Sequence, residues 1–206
     1  MNRSAHYQCC TNCIMDTTDP DIVFNTEGVC NHCLDYDQKA PKFWKPGFEG
    51  RKEIDAIFDA IKAEQKDKEY DAVIGLSGGV DSSYLALIAV RVFKLRLLAV
   101  HVDGGWNSEL AVKNIENIVN TLGIDLYTEV IDWEEMRDLQ VAFLKSAVAN
   151  QDVPQDHVFF AALYRISIKK KIRHVLSGGN FATESFLPFE WAYNTMDITH
   201  LKGIHK

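Results

Sequence analysis

Cysteine is absent from most of this chain. All five cysteines lie between Cys9 and Cys33, and none occurs in the residues that follow. A secreted protein held together by disulfides would distribute its cysteines along the chain. A cluster at one end of an otherwise cysteine-free chain instead favours a bound metal.

Long hydrophobic runs and basic tracts are missing as well. No apolar stretch approaches the roughly 18 residues that a membrane-spanning helix needs, and the opening MNRSAHYQCC lacks the apolar core of a signal peptide. Lys and Arg number 22 against 29 Asp and Glu, which gives a net charge of −7. Proteins that bind mainly a nucleic-acid backbone carry the opposite balance. We therefore expect a cytoplasmic protein without membrane insertion, whose main partner is not nucleic acid.

Four of the cysteines form two pairs with zinc-ribbon spacing. Two residues separate Cys10 from Cys13 and also Cys30 from Cys33, and sixteen residues lie between the pairs. This spacing is typical of two turns that each give two thiolates to a tetrahedral, structural Zn²⁺. A segment of about 40 residues buries too little surface to fold alone, so metal binding would supply its folding energy. Free thiols or a redox pair are the alternatives. The nearby alternative ligands are Cys9, His6 and His32.

An apolar strand runs directly into a glycine-rich turn in residues 71–84, DAVIGLSGGVDSSY. The two glycines allow the backbone to approach a ligand closely, and the helix that follows offers unpaired N–H groups and a positive dipole at its N-terminus. The serine hydroxyls add further donors. The segment therefore predicts a binding site for phosphate oxygens, against the alternative of a turn that binds nothing. The predicted phosphate contacts in this glycine loop are Ser77, Gly78, Gly79, Asp81, Ser82 and Ser83.

The glycine loop differs from the mononucleotide loop G-x-x-x-x-G-K-[ST], because no lysine follows its glycines and its spacing is shorter. It resembles instead the S-G-G-x-D-S signature of the PP-loop ATP pyrophosphatases. That resemblance implies that the loop holds the β,γ-pyrophosphate of ATP and that ATP is cut between its α and β phosphorus atoms.

Strands and helices alternate after the cysteine-rich segment. The hydrophobic pattern predicts a helix at 82–93 and buried strands at 95–102, 126–131 and 174–176, with a loop at 150–157. Alternation of this kind predicts an α/β fold with a doubly wound parallel sheet. The resemblance to PP-loop enzymes adds that the sheet is of the adenine nucleotide hydrolase-like kind.

Three loops follow strands and should meet at one edge of this sheet. They are residues 77–83, 103–108 and 177–184, and ligands of such sheets bind beyond the carboxyl ends of the strands. We expect residues 1–46 to form the zinc-ribbon segment and residues 47–206 to form the ATP-binding domain.

These loops contribute the other predicted contacts. Asp103 is expected to contact the ribose or adenine of ATP, with a plain turn aspartate as the alternative. Bound polyphosphate implies Mg²⁺, which Asp81 would help to position unless it caps the helix instead. The loop after the fourth strand would approach the α-phosphate, or is a simple turn. Its residues are Gly178, Gly179 and Asn180.

A second group of candidate residues concerns the substrate that would react with ATP. Asp156 is either a catalytic carboxylate or the N-cap of the helix that follows it. His157 is expected to donate a hydrogen bond to the adenylate or to a substrate carboxylate. The predicted substrate contacts are Gln155, Thr183 and Glu184. The predicted catalytic residues are Asp81, Ser82, Asp156 and His157.

Several separated motifs together resemble the N-acetyl sugar amidotransferase family, which are PP-loop enzymes of bacterial surface-polysaccharide, lipopolysaccharide O-antigen and flagellin-glycan biosynthesis. The segments that carry the resemblance are CTNCIMDTTDPDIVFNTEGVCNHC, SGGVDSS, HVDGGWNS, PQDHVFFAALY and SGGNFATES. The resemblance implies that ATP adenylates the acetamido oxygen of an acidic N-acetyl sugar, and that ammonia then replaces AMP to give an acetamidino group. Members of the family continue well past the position of Lys206, so the resemblance implies a chain truncated at its C-terminal end, a naturally short protein, or a fragment of a longer one.

The resemblance implies a separate source of ammonia, namely a glutaminase subunit with a cyclase-like subunit that channels ammonia. The residues agree, because a glutaminase needs a nucleophilic cysteine and every cysteine here belongs to, or adjoins, the two pairs. The main alternatives are a tRNA-modifying PP-loop enzyme and a non-catalytic ATP-binding scaffold. NAD, GMP and asparagine synthetases also share SGGVDSS, but they do not explain the cysteine pairs.

Overall fold

A computed structural model describes residues 7–179, 194 and 196–205. Contacts divide these residues into an N-terminal unit that ends at Arg51 and a larger unit that begins at Lys52. Within the described ranges, no helix combines the length and the apolar character required to cross a bilayer.

The N-terminal unit consists of tight turns followed by one helix. Phe24 and Cys30 form an antiparallel bridge, and between them Asn25 N–H donates to Val29 O at 2.9 Å. Helix α1 then spans Asn31–Phe43. A tight hairpin therefore lies between the two cysteine pairs and leads into the second one.

The larger unit alternates strands with helices. The helices are α2 (Phe48–Glu64, which begins in the N-terminal unit), α3 (Val80–Arg91), α4 (Glu109–Leu122), α5 (Trp133–Ser146), α6 (Val153–Lys170) and α7 (Ile198–Ile204). The strands are β1 (Ala72–Gly75), β2 (Leu97–Asp103), β3 (Asp125–Val130) and β4 (Val175–Leu176). The strand predictions agree with these bounds to within two residues.

The four strands form one parallel sheet in the order β3-β2-β1-β4. Val73 of β1 pairs with Leu98 of β2 on one side and with Val175 of β4 on the other. The chain thus builds outward from β1 to β3 and then returns to the opposite side of β1. The direction of winding reverses between β1 and β4, which is the position where ligands bind in sheets of this type.

Apolar layers cover both faces of the sheet, which confirms the doubly wound α/β prediction. On one face, side chains of α2, α3 and α4 pack against the strands. Buried members of this layer are Phe58, Ile61, Ala86, Ala89, Ile115, Ala72, Ile74, Leu97 and Ala99. On the other face, Ile166 of α6 packs with Val73, Leu98 and Val100. Because both of their faces are buried, the central strands β1 and β2 are mostly apolar, whereas the edge strand β3 is largely exposed and carries polar residues.

The predicted loop at 150–157 is wrong in its second half, because α6 already begins at Val153. Val153 and Pro154 are both buried. A proline in the first helical turn loses no hydrogen bond, since the N–H groups there have no helical partner. Asp156 therefore lies inside the helix, and its N–H donates to Asp152 O at 3.0 Å. The N-cap position belongs to Asp152, so the capping alternative for Asp156 is also wrong.

Candidate active site and metal centre

The first turn of α3 is open at the edge of the sheet where the strands end, here called the carboxyl edge. Helix α4 has a side-chain cap at its N-terminus, because Ser108 Oγ accepts from Ala111 N–H at 3.1 Å. Asp132 caps α5 in the same way, because its side chain accepts from the N–H groups of Glu134 and Glu135. The N-cap of α3 is Gly79, which has no side chain to cap with. The first N–H groups of α3 therefore remain available to an anion.

Gly78 gives the glycine loop its shape. Its φ of +76° lies in the left-handed region, and a Cβ atom at this position would be 2.5 Å from Ala111 O. Asn114 Nδ2 also donates to Gly78 O at 3.1 Å. Only glycine satisfies both the conformation and the contact. The loop is therefore held against α4.

The serines of the loop hydrogen-bond mainly within the loop. Ser77 Oγ lies 3.2 Å from Ser82 Oγ and accepts from Gly79 N–H at 3.3 Å. The hydroxyls of Ser82 and Ser83 donate to Gly79 O at 3.3 and 2.5 Å. These bonds fix the loop in a defined conformation. Their role as direct ATP contacts stays a prediction.

Gly178 brings the loop after β4 against the glycine loop. A Cβ atom on Gly178 would be 3.1 Å from Ser82 N and 3.2 Å from the carbonyl carbon of Asp81. The expected meeting of these two loops is therefore observed. Gly179 lies in the same loop, where its N–H donates to Ser177 Oγ at 3.3 Å. Three predicted contacts lie outside the described residues, namely Asn180, Thr183 and Glu184.

Asp81 has the exposure and position that a metal-phosphate contact requires. It lies in the first turn of α3 and is exposed. Its carboxylate makes no hydrogen bond or ion pair with any residue of the described ranges. Because Gly79 occupies the N-cap, the alternative that Asp81 caps the helix is wrong. An exposed carboxylate beside an open helix N-terminus has the chemistry of a Mg²⁺ ligand, since Mg²⁺ prefers one or two carboxylates together with phosphate oxygens.

A hydrogen bond joins the end of β2 to Leu76, the residue just before the glycine loop. His101 Nδ1–H donates to Leu76 O at 3.1 Å, which leaves Nε2 to accept from Asn107 Nδ2 at 3.1 Å. Sequence reasoning missed His101, although a polar residue in the otherwise apolar strand LLAVHVD was a visible signal. Asp103 Oδ1 accepts from Gly105 N–H at 3.0 Å, which is the contact expected of a turn aspartate.

A cavity of about 460 Å³ opens beside these residues, between α4 and strands β2 and β3. Its polar end at the carboxyl edge consists of His101, Asp103 and Asn107. The floor is apolar, with contributions from Ile115, Val119 and others of α4. A flat, partly apolar group with hydrogen-bonding edges matches this lining.

The predicted residues at the start of α6 extend beyond the carboxyl edge. Leu163 packs beside Gly75 at the end of β1, and Asp156 lies seven residues earlier, roughly 10 Å along the helix. Burial raises the pKa of Asp156, and the nearby charge of Asp152 raises it further. The residues on these turns are Gln155, Asp156 and His157, and all three are half-buried. Within the part of the chain that the structure describes, the Asp156 side chain makes no hydrogen bond or ion pair with the glycine loop.

The N-terminal unit contains a four-cysteine cluster. Cys10 Sγ lies 4.0 Å from Cys33 Sγ, and Cys13 Sγ lies 3.7 Å from Cys30 Sγ. All four sulfur atoms lie within 4.8 Å of one another. A tetrahedral ion with Zn–S bonds of about 2.3 Å spaces its sulfur atoms about 3.8 Å apart. The cluster therefore fits a single tetrahedral metal ion. An iron–sulfur cube places each thiolate on a different iron, which requires wider spacing.

Backbone N–H groups prepare Cys10 for this role. Burial opposes ionisation of its thiol, but N–H groups of Asn12 and Cys30 donate to the sulfur at 3.3 and 3.2 Å. The balance lowers the pKa of Cys10 to about 6. The thiolate is the form that binds metal.

Two of the alternative ligands, His32 and Cys9, have contacts outside the four-sulfur cluster. His32 Nε2 pairs with the buried Asp19 carboxylate at 2.7 Å. Cys9 is exposed, and its Sγ lies 3.8 Å from Cys13 O, apart from the four-sulfur cluster. His6 lies outside the described residues.

Comparison with known proteins supports a PP-loop assignment. Residues 53–206 match the family model described as NAD synthase. A stretch of 86 residues is 34% identical to the glutamine-hydrolysing GMP synthase of Aeropyrum pernix, which covers 42% of this chain and 16% of that protein.

Two solved structures are also similar. The NH3-dependent NAD synthetase of Campylobacter jejuni is 20% identical with a TM-score of 0.46, over 64% of this chain and 57% of that one. The U34-tRNA thiolase of Methanococcus maripaludis, solved with its 4Fe–4S cluster, is 17% identical with a TM-score of 0.45, over 84% of this chain and 55% of that one. The chain thus spans about a sixth of the curated relative and somewhat more than half of each structure.

Proposed function

The chain belongs to the NAD synthase family, a group of PP-loop ATP-utilising synthetases, and we propose that it activates an amide oxygen with ATP for attack by ammonia. The observation that carries this proposal is the open N-terminus of α3 behind Ser77–Gly79, with Gly178 packed against it. Unpaired N–H groups at a helix N-terminus stabilise the negative charge of a pyrophosphate.

In the proposed reaction, an amide oxygen of the substrate attacks the α-phosphorus of ATP. The bond from the α-phosphorus to the bridging oxygen breaks, and pyrophosphate leaves with the electron pair. Ammonia then attacks the activated carbon, AMP departs with the former amide oxygen, and a proton is released. The backbone N–H groups of the glycine loop would hold the leaving pyrophosphate, where their stabilisation increases as charge develops.

The other residues have distinct proposed tasks. Mg²⁺ supplies charge neutralisation on the phosphates, and the exposed Asp81 carboxylate would hold it there. The cavity beside Asp103 and His101 would take the nucleoside of ATP. Structural Zn²⁺ is proposed for the four-cysteine cluster, whose sulfur spacing fits it.

We propose an acidic N-acetyl sugar as the substrate, converted from acetamido to acetamidino in bacterial surface-glycan biosynthesis. The support is the combination of the cysteine pairs with the motifs HVDGGWNS, PQDHVFFAALY and SGGNFATES, which resembles the N-acetyl sugar amidotransferases. Ammonia would come from a separate glutaminase subunit through a cyclase-like subunit, as the same resemblance implies.

Phosphorus NMR tests this proposal. The chain, and any longer form of the protein, is mixed with Mg-ATP, ammonium and a panel of N-acetylated uronic and nonulosonic sugars. Formation of AMP and pyrophosphate that depends on one sugar is the expected result. Release of ADP and phosphate would contradict α–β cleavage. AMP formed with deamido-NAD or with tRNA, but with none of the sugars, would reassign the substrate within the same chemistry.

A further inference from the structure

Asn114 contacts the glycine loop from outside the motif. It lies on the second turn of α4 and is half-buried. Its Nδ2 donates to the carbonyl oxygen of Gly78 at 3.1 Å. In the same region, a Cβ atom on Gly78 would lie only 2.5 Å from Ala111 O. The peptide group that joins Gly78 to Gly79 is thus fixed through its oxygen.

The direction of this oxygen determines the direction of the next N–H group. In a trans peptide, the C=O and the N–H point to opposite sides, and no described peptide bond of this chain is cis. With Gly78 O bonded to α4, Gly79 N–H points away from α4. Its acceptor there is Ser77 Oγ, at the long distance of 3.3 Å. A phosphate oxygen can replace this weak acceptor, because charge-assisted hydrogen bonds are stronger.

We propose that Asn114 is a positioning residue that keeps the Gly78–Gly79 peptide in the orientation that binds pyrophosphate. This inference rests on the proposed ATP site. Neither glycine has a Cβ atom, so rotation of the peptide between them meets little steric resistance. A reversed peptide would present its carbonyl oxygen to the phosphate and repel it. Two side-chain contacts oppose this reversal, the bond from Asn114 to Gly78 O and the longer one from Gly79 N–H to Ser77 Oγ. When a phosphate oxygen replaces Ser77 Oγ, the bond from Asn114 is the one that stays.

Two substitutions separate this role from general packing. Asn114→Ala removes the donor and leaves the peptide free to rotate. Asn114→Asp keeps the shape but replaces the donor with a second acceptor, which repels Gly78 O and favours the reversed peptide. Asn117, three residues further along α4, is exposed and makes no such bond. Asn117→Ala and Asn117→Asp are therefore matched controls for side-chain loss and for the added charge.

The experiment measures binding of pyrophosphate and of Mg-ATP by titration calorimetry. We expect Asn114→Ala to weaken binding about tenfold, the effect of one hydrogen bond, and Asn114→Asp to weaken it more. The Asn117 variants should bind like the wild type. In ¹⁵N NMR spectra, pyrophosphate should shift the Gly79 amide of the wild type strongly and that of Asn114→Asp little. If Asn114 had a purely structural role, the wild type and an Asn114→Asp variant of equal melting temperature would show the same shift of the Gly79 amide.

Each of these results supports or overturns the positioning role of Asn114. Equal affinity of wild type and Asn114→Asp overturns the inference and leaves the ATP site intact. Equal weakening by the Asn114 and Asn117 variants also overturns it, since a general effect of α4 would then be sufficient. A wild-type protein that binds neither pyrophosphate nor Mg-ATP overturns the proposed function, and with it this inference. If Asn114→Asp fails to fold, the Gly79 amide of Asn114→Ala gives the same decision.

Discussion

Gly178 lies so close to the first turn of α3 that a Cβ atom on it would be 3.1 Å from the backbone nitrogen of Ser82. Gly178 belongs to the loop after β4, and Ser82 to the first turn of α3, which follows β1. The winding of the sheet reverses between these two strands. The contact is between backbones, so neither loop can move aside by changing a rotamer. The open N–H groups of α3 are thereby held beside the loop after β4.

Gly178→Ala should therefore impair ATP turnover. The added methyl group would press on Ser82 N and on the carbonyl carbon of Asp81, and the first turn of α3 would have to shift by a few tenths of an ångström. We expect turnover to fall about tenfold or more, because small displacements of positioned groups are costly. Gly203→Ala in α7, where a Cβ atom would meet nothing within 4 Å, is the control. Similar AMP production by both variants would contradict the assignment of this contact to the site.

Substitutions of Gly78 and Gly79 should have different effects on stability and on ATP binding. Gly78→Ala combines a left-handed φ with a Cβ atom 2.5 Å from Ala111 O, and should lower the free energy of unfolding by about 2–4 kcal/mol. Gly79 has a φ of −79°, which any residue adopts. Gly79→Val should therefore keep most of the stability yet lose ATP affinity, because its side chain fills the space before α3. Denaturation and ATP titration of both variants provide the check. A Gly79→Val variant with unchanged ATP affinity would place the nucleotide elsewhere.

The sequence was informative where a pattern is local. The spacing of Cys10, Cys13, Cys30 and Cys33 predicted one cluster, and the alternation of apolar runs predicted the parallel sheet. The start of α6 was missed because Pro154 usually indicates a loop, yet a proline in a first turn is compatible with a helix. Nothing local marks Asn114, since its contact with Gly78 spans 36 positions. Such contacts depend on how α4 packs, and that packing is set by the whole sheet.

The four-cysteine cluster should bind one metal ion per chain. Cys13→Ser removes one ligand, and we expect the metal content measured by elemental analysis to fall to near zero and the N-terminal unit to lose structure. Cys9→Ser is the matched control, because Cys9 is an exposed neighbour outside the cluster. Retention of one zinc by Cys13→Ser, or loss of it by Cys9→Ser, would require a different ligand set.

Asp81→Asn should abolish turnover with little effect on the fold. Asparagine keeps the shape of the side chain but is a weaker ligand for a hard divalent cation. Since the Asp81 carboxylate is exposed and has no partner among the described residues, its loss leaves no buried group unpaired. We expect the rate of pyrophosphate release to fall at least a hundredfold while the melting temperature stays within about two degrees. Near-native release at the same Mg²⁺ concentration would exclude this role for Asp81.

Asp156→Asn should stabilise the protein at neutral pH. Burial, together with the charge of Asp152, raises the pKa of the folded-state carboxyl above its unfolded value of about 3.9. The folded state therefore holds this proton more tightly than the unfolded state does. The unfavourable contribution of Asp156 begins as the pH rises through the unfolded pKa and is complete above the folded pKa. An uncharged asparagine does not make this contribution, so the melting temperature should be higher than that of the wild type at pH 7.

The difference in melting temperature should shrink as the pH falls through the raised folded pKa, and it should be smallest well below the unfolded value of about 3.9, where the wild-type carboxyl is protonated in both states. Asp67→Asn, which changes an exposed carboxylate, controls for the loss of one negative charge. If Asp156 also takes part in the reaction, the stabilised variant will release pyrophosphate more slowly, since functional carboxylates are commonly held at the expense of stability. A variant that is no more stable than the wild type at pH 7, measured under identical salt, would show that the burial of Asp156 is compensated by favourable contacts. A variant that is more stable and equally active would show that Asp156 destabilises the folded protein and has no role in turnover.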